Sequence, residues 1–262
     1  VPEGDTLHRA AGLLRVLEGV TVSRLEGSHR AVIAHRSRIE GHAITSVEAR
    51  GKHLVITFDH DWALRTHLGM TGSWHRYRPG ERWRITPGKA RVVITTDPWV
   101  AVCFAASTVQ LDPTADVHAA LAHLGPDLIH DEVDWDEVTR RARRSRATTV
   151  ADLLLDQRVM AGIGNVYKSE TLYLQRIHPE TPAQSLADEQ IRRCGERAQR
   201  LMMANLTRPR RSTTGQPGRG AGLWVYGRAG SPCRRCRTEI EMTGLPADER
   251  LTYWCPSCQP AP

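Results

Sequence analysis

The sequence predicts an α+β protein of two domains: an N-terminal antiparallel β-sandwich with a leading helix, and a C-terminal helical domain ending in a cysteine-bearing hairpin. Three observations carry this. Short alternating apolar runs, punctuated by Gly, Pro and Asp, fill residues 20–111. Helical spacing of apolar residues then takes over from Asp136 to Leu206. Four of the six cysteines fall in the last thirty residues.

The elements follow in order. Leu7, Ala10, Ala11, Leu14 and Leu17 repeat at helical spacing, so residues 5–18 form the leading helix. Residue 2 then sits at its positive end. Strands are expected at residues 20–25, 44–49, 53–58, 63–67, 91–95 and 99–104. The first domain covers residues 1–112, and a short helix and linker cover 113–136. Helices occupy 137–222, and Ser185 with Asp188 three residues on reads as a helix start. Residues 208–222, rich in Gly, Pro, Thr and Arg, form a long loop, and 223–262 hold the cysteine hairpin.

At 262 residues the chain suits two domains better than one. It has no apolar run of eighteen residues and no signal-peptide pattern, so a cytoplasmic, non-membrane protein is expected. The formal charge is +7, and five arginines crowd residues 140–146. Further arginines cluster at 192–200 and 208–211. Together they favour a polyanion partner, because each phosphate contact releases counterions. Charge alone does not separate DNA from RNA or an acidic surface.

Cys233-x-x-Cys236 and Cys255-x-x-Cys258 are separated by eighteen residues. Two such knuckles on a hairpin supply four thiolates to one tetrahedral ion, typically structural zinc. Arg250 and Thr252 fall on the second strand of that hairpin. Cys103 and Cys194 sit in apolar and helical patterns and read as inert thiols.

Residues 161–165, Ala-Gly-Ile-Gly-Asn, break a helical run. The glycines permit a tight turn, Asn165 is placed to cap the next helix, and the helix start suits a phosphate. A plain packing turn is the other reading. Lys52 enters an apolar strand after Gly51, and is either a surface cation or a functional one. Met70, in the run Thr-His-Leu-Gly-Met-Thr-Gly-Ser-Trp, would be core filler by itself.

The start of the chain, Val1-Pro2-Glu3-Gly4, decides between these readings. A GTG start codon is read as methionine, and methionine before proline is normally removed, so the expected working terminus is Pro2. An α-amine has a pKa of about 7.7–8 against about 10.4 for lysine, so roughly a tenth of it is nucleophilic at neutral pH. Glu3 is the neighbouring proton donor. Taken alone, a Pro-Glu start is equally a frayed terminus.

Read together, these segments resemble the bacterial formamidopyrimidine-DNA glycosylase and endonuclease VIII family of base-excision repair enzymes. The resemblance covers essentially the whole chain: PEGDT, RGKHL, THLGMTG, LGPD, LLLDQRVMAGIGNVYKSE, and YGRAGSPC through YWCPSCQ occur in the family's order. It implies a helix-two-turns-helix domain with a zinc finger, one structural zinc on the four cysteines, and damaged DNA bound in a basic cleft by a monomer. It also implies that Pro2 attacks C1′ to form a Schiff base while Glu3 protonates the deoxyribose ring oxygen. Lys52 would contact phosphate and assist β-elimination. Asn165 would bind phosphate with help from His67, Arg250 would clamp phosphate for δ-elimination, and Met70 would fill the gap left by the extruded base. Purine-lesion members carry DPRRFG before the linker and start PELP. Here residues 96–103 read Thr-Asp-Pro-Trp-Val-Ala-Val-Cys and the start is PEGD, which favours oxidised pyrimidines such as thymine glycol and 5-hydroxyuracil. The alternatives are excision of 8-oxoguanine and formamidopyrimidine, or a catalytically silent protein that senses lesions or abasic sites. An RNA-binding zinc protein ranks lower, for want of stacked-aromatic motifs.

Overall fold

The computed structural model describes residues 1–130, 132–208, 210–215, 222–244 and 251–262. The chain divides into two compact units, Val1–His123 and Leu124–Pro262.

In the first unit, α1 (Gly4–Leu14) runs into a 3-10 turn and buries Leu7, Ala10, Ala11 and Leu14. Next come β1 (Arg24–Glu26), α2 (Arg30–His35), β2 (Ile44–Arg50), β3 (His53–Phe58), β4 (Trp62–His67) and β5 (Ser73–Tyr77). β6 (Ala90–Thr95), β7 (Val100–Phe104), β8 (Thr108–Pro113) and α3 (Thr114–Leu121) complete the unit. All pairings are antiparallel, in two four-stranded sheets ordered β2-β3-β4-β8 and β1-β6-β7-β5. Leu14, Leu17, Ile56, Leu64, Val92, Ile94 and Cys103 meet in one apolar core. The sandwich is therefore as expected, with three differences in its elements. α2, β5 and β8 were not foreseen: α2 is a helix of only six residues, too short to show a periodicity, and in β5 and β8 Arg, His, Gln and Asp interrupt the apolar pattern, so cross-strand pairing supplies what periodicity lacks.

The second unit holds α4 (Trp135–Arg144), α5 (Val150–Leu155), α6 (Asn165–Gln175), α7 (Asp188–Met203), β9 (Glu241–Thr243) and β10 (Thr252–Trp254). β9 and β10 form the antiparallel hairpin of the cysteine tail. α7 starts where Asp188 suggested, but its N-cap is Ala187, whose N–H donates to Gln190 Oε1 at 2.8 Å. Ser185 instead sits in a preceding 3-10 turn and donates to the Pro182 carbonyl.

α6 is buried from Asn165 through Tyr173, which leaves Lys168, Ser169 and Glu170 inside the unit. Each needs a partner, since a buried polar group without one is costly. Lys168 Nζ donates to Thr252 Oγ1 at 2.7 Å and to the Leu251 carbonyl at 3.2 Å. Ser169 Oγ accepts from the Tyr253 N–H at 3.3 Å. Glu170 accepts N–H bonds from Trp224, Val225 and Tyr226 at 2.8–2.9 Å and a hydrogen bond from the Thr213 hydroxyl. Three successive side chains thus tie the hairpin and the segment around 213–226 to one helix. Burial pushes the Glu170 carboxyl upward, opposed by the donors it gathers.

Glu170→Ala is expected to lower stability by about 3–5 kcal/mol, because it strips a buried acceptor from several donors at once. Urea unfolding checks this, and a loss under about 1 kcal/mol would mean that the donors find other partners.

Candidate active site and phosphate-binding turn

Each unit holds one group of the residues singled out by sequence. In the first unit, Glu3 is the N-cap of α1 and is fully buried, and Pro2 precedes it. The Glu3 N–H donates to Thr6 Oγ1 at 3.4 Å, and the Thr6 N–H donates to the Glu3 carbonyl at 2.8 Å, which fixes the start of the chain. Asp5, also fully buried, accepts from the Thr6 hydroxyl at 3.3 Å.

Lys52 comes from the opposite side of the sandwich sequence. Arg50 and His53 pair across the β2–β3 hairpin, so Gly51 and Lys52 form a two-residue turn. Gly51 takes φ +58° at its first central position, the conformation such turns demand of glycine. Burial lowers the Lys52 pKa, and the Glu3 charge partly restores it. The two groups therefore share one electrostatic neighbourhood.

His67 joins them. β3 and β4 place His53 opposite His67, with ring centroids 4.9 Å apart. The Gly69 N–H donates to His67 Nδ1 at 3.2 Å, so the neutral ring carries its proton on Nε2. Burial first, then Lys52 and Arg65, hold the His67 pKa below its ordinary value. His53 is held lower still, at about 3, by burial and by the cations around it, and among the described residues its buried Nδ1 has no hydrogen-bond partner. Met70 lies on the turn after β4, which the Gly72 N–H closes on the Leu68 carbonyl at 2.8 Å. It is 42% exposed, so it is not core filler.

In the second unit the glycine turn is braced by Gln157. Its Oε1 accepts from the Gly162 N–H at 3.0 Å, and its Nε2 donates to the Leu155 and Ile163 carbonyls at 2.9 and 3.0 Å. Gly162 sits at φ +108°, which other residues rarely adopt. Asn165 does not cap α6. Gly164 is the N-cap and Asn165 the first helical residue, because the extended backbone needed at the cap falls on the glycine. The Asn165 side chain is instead oriented by Lys168, whose ammonium donates to its Oδ1 at 3.2 Å. Lysine only donates, so this contact fixes the Asn165 oxygen as the end that faces Lys168. Arg250 lies outside the described residues, as do residues 216–221 of the loop expected at 208–222.

The four cysteines of the tail bring their sulfurs within 4.8 Å of one another. Sγ–Sγ distances of 3.4 Å (Cys236–Cys255), 3.6 Å (Cys236–Cys258) and 3.9 Å (Cys233–Cys258) fit thiolates gathered around one tetrahedral zinc. Cys103 and Cys194 are buried, and burial pushes both thiols up, Cys194 to about 12.

Sequence reasoning missed Lys168, Glu170, Gln157 and His53. The signal for the first two was a run of three polar residues on a helix that the apolar pattern buries. His53 opens the apolar run Leu54-Val55-Ile56 and read only as a strand residue.

The depressed His53 pKa has a stability consequence. Between about pH 6.5 and 3 the unfolded chain binds a proton at His53 that the folded chain refuses, so stability falls as pH falls through this window. His53→Gln is expected to flatten that acid limb of a Tm–pH profile, and an unchanged slope would assign the limb to other groups.

Comparison with known proteins agrees with this geometry. Residues 1–107 match the formamidopyrimidine-DNA glycosylase N-terminal domain, 124–216 its H2TH domain, and 230–261 the zinc finger found in FPG and IleRS. The chain is 38% identical to "Probable endonuclease 8 2" of Streptomyces coelicolor over 266 residues, covering 100% of this chain and 95% of the relative. It is 39% identical to "DNA-(apurinic or apyrimidinic site) lyase Nei2" of Mycolicibacterium smegmatis over the full length of both. Among solved structures, Lactococcus lactis Fpg bound to N7-benzyl-Fapy-dG DNA superposes with a TM-score of 0.81 at 23% identity, over 99% of this chain and 100% of that one. With the buried Glu3, the braced glycine turn and the cysteine quartet in place, these matches establish that the chain belongs to the formamidopyrimidine-DNA glycosylase and endonuclease VIII family of DNA glycosylases and AP lyases.

Proposed function

We propose that this DNA glycosylase and AP lyase excises oxidised pyrimidines through an N-terminal proline Schiff base and cuts the strand by β,δ-elimination. The observation that carries the reading is the fully buried Glu3, one residue from Pro2, acting electrostatically on a desolvated Lys52. A buried carboxylate beside a terminal amine, with a desolvated lysine in reach of its charge, suits covalent amine chemistry.

In this reading removal of Val1 frees the Pro2 secondary amine. The target nucleotide leaves the stack, and Met70, presented on its exposed turn, fills the gap and offsets part of the unstacking cost. The Pro2 nitrogen bonds to C1′ and gives up its proton, and Glu3 protonates the ring oxygen as the C1′–O4′ bond opens. The C1′–base bond breaks, and the base leaves with the glycosidic electron pair. The resulting iminium is an electron sink, so the C2′ proton becomes acidic and the 3′ phosphate departs. Lys52 holds phosphate near the lesion during this step. Asn165, its amide aimed by Lys168, and His67, as an Nε2–H donor, bind backbone phosphates. Arg250 is the phosphate clamp for δ-elimination. One zinc on Cys233, Cys236, Cys255 and Cys258 fixes the hairpin and takes no part in bond breaking. The enzyme acts as a monomer on DNA in the bacterial cytoplasm. Among the described residues no helix is long and apolar enough to cross a membrane.

Two features support pyrimidine lesions. The chain starts PEGD and lacks DPRRFG. Its relatives named endonuclease 8 2 are 38–40% identical, against 34% for the formamidopyrimidine-DNA glycosylase of Acidothermus cellulolyticus and 30% for the endonuclease 8 of Pectobacterium atrosepticum, so the likeness is to the endonuclease 8 2 group.

Borohydride reduction on a duplex with one abasic site is expected to crosslink Pro2, mapped by peptide mass spectrometry. DNA binding without a crosslink, or an intact mass retaining Val1, would point to a silent lesion-binding protein or an unprocessed terminus. Matched duplexes carrying thymine glycol or 8-oxoguanine should be cleaved at least ~10-fold faster at thymine glycol, a difference of about 1.4 kcal/mol in barrier. The reverse order would assign the enzyme to purine lesions.

A further inference from the structure

A second group of metal-type donors lies in the first unit, outside every residue used above. His42, Asp59 and His60 bring one ligand atom each to within 4.8 Å of the others. Asp59 Oδ1 is 2.7 Å from His42 Nδ1 and 3.5 Å from His60 Nδ1. The two imidazoles stack with centroids 3.7 Å apart and 24° between planes. We propose that His42, Asp59 and His60 form a binding site for a divalent first-row transition cation, such as Zn2+ or Ni2+.

Three arguments support it. The first is that the site is preorganised by backbone. Asp59 donates its N–H to the Ala43 carbonyl at 3.0 Å, and the Ala43 N–H donates to Asp59 Oδ2 at 3.0 Å. This reciprocal pair locks the residue after His42 to the residue before His60, and it occupies only one carboxylate oxygen. Second, a simple His42–Asp59 ion pair leaves His60 unexplained. Among the described residues, His60 Nε2 is buried without a hydrogen-bond partner and Nδ1 has only the long 3.5 Å contact to Asp59, while its ring lies parallel to Trp62 at 6.4 Å and 9°. A desolvated imidazole in that state gains a partner when a cation is bound. Third, the three ligand atoms already lie within 4.8 Å of one another, so one cation can reach all of them. Neutral imidazole is the form that ligates.

The donor set chooses the ligand. Two imidazole nitrogens and one carboxylate suit Zn2+, Ni2+, Co2+ or Cu2+, whereas Mg2+ and Ca2+ prefer all-oxygen shells. Asp59 is exposed, so water can complete the coordination. The site is also remote from Lys52. Strand β3 separates the two, about 20 Å at the usual rise per residue. Cation binding there therefore reports on the sandwich and not on the proposed chemistry.

The test uses the full chain, dialysed against Zn2+ or Ni2+, with bound metal counted by mass spectrometry and affinity measured by calorimetry. Wild type is expected to hold one cation per chain more than His42→Ala or His60→Ala. Either single change should weaken that binding at least ~10-fold. Asp59→Asn keeps an acceptor for the Ala43 N–H and should lose the cation with the fold intact by circular dichroism. Bound Cu2+ should show hyperfine coupling to two imidazole nitrogens by electron paramagnetic resonance. Equal stoichiometry and affinity in wild type and the His42→Ala/His60→Ala double variant would overturn the proposal. So would coupling to a single nitrogen. Because the comparison is between variants, zinc on the cysteines does not affect it.

Discussion

The second unit depends on a ladder of buried polar contacts along α6. Lys168, Ser169 and Glu170 are consecutive, fully buried, and committed to two other parts of the chain, the first two to β10 and Glu170 to Thr213 and residues 224–226. An apolar helix could pack against the cysteine hairpin in several registers. A buried ammonium that must reach Thr252 and a buried carboxylate that must collect the N–H groups of Trp224, Val225 and Tyr226 allow far fewer. The hairpin itself is too small for a substantial core. Its apolar residues, Val225 and Ile240 with Cys233 and Cys255, pack on Tyr173 of the same helix. Zinc on the thiolates and the ladder on α6 are therefore complementary constraints, one within the hairpin and one holding it.

The same ladder reaches the glycine turn at residues 161–165. Lys168 donates at once to Asn165 and to the start of β10, so the orientation of one amide is coupled to the seating of the hairpin. A cation behind Asn165 also raises the local positive potential at that turn. In the first unit the analogous device is desolvation. The turn between β2 and β3 carries Lys52 into partly buried surroundings, and the His53–His67 pair adds rings held neutral well below their ordinary range. Lys52 and Arg65 supply positive charge there without further protons.

Sequence was most informative where chemistry requires fixed spacing. The cysteine knuckles, the glycine turn and the Pro-Glu start were each readable because substituting or shifting one residue would abolish the geometry. It was weaker for the local details. Asn165 looked like a cap, yet Gly164 holds the extended cap conformation and frees the amide for Lys168. Strands β5 and β8 lacked a clean alternation, and pairing with β7 and β4 is what makes them strands.

By itself the sequence determined the fold class, the metal-type cysteine quartet and the family, since these rest on local pattern and spacing. Only the tertiary structure decided which polar residues share a neighbourhood. Glu3 acts on Lys52 from another element, His53 meets His67 across a strand pair, and Lys168 finds Thr252 eighty-four positions away. His42 likewise meets Asp59 and His60 only because Ala43 pairs with Asp59. The physical reason is common to all four. A pKa, a side-chain orientation and a ligand set depend on distance and desolvation, and both are set by packing between segments that local pattern does not connect.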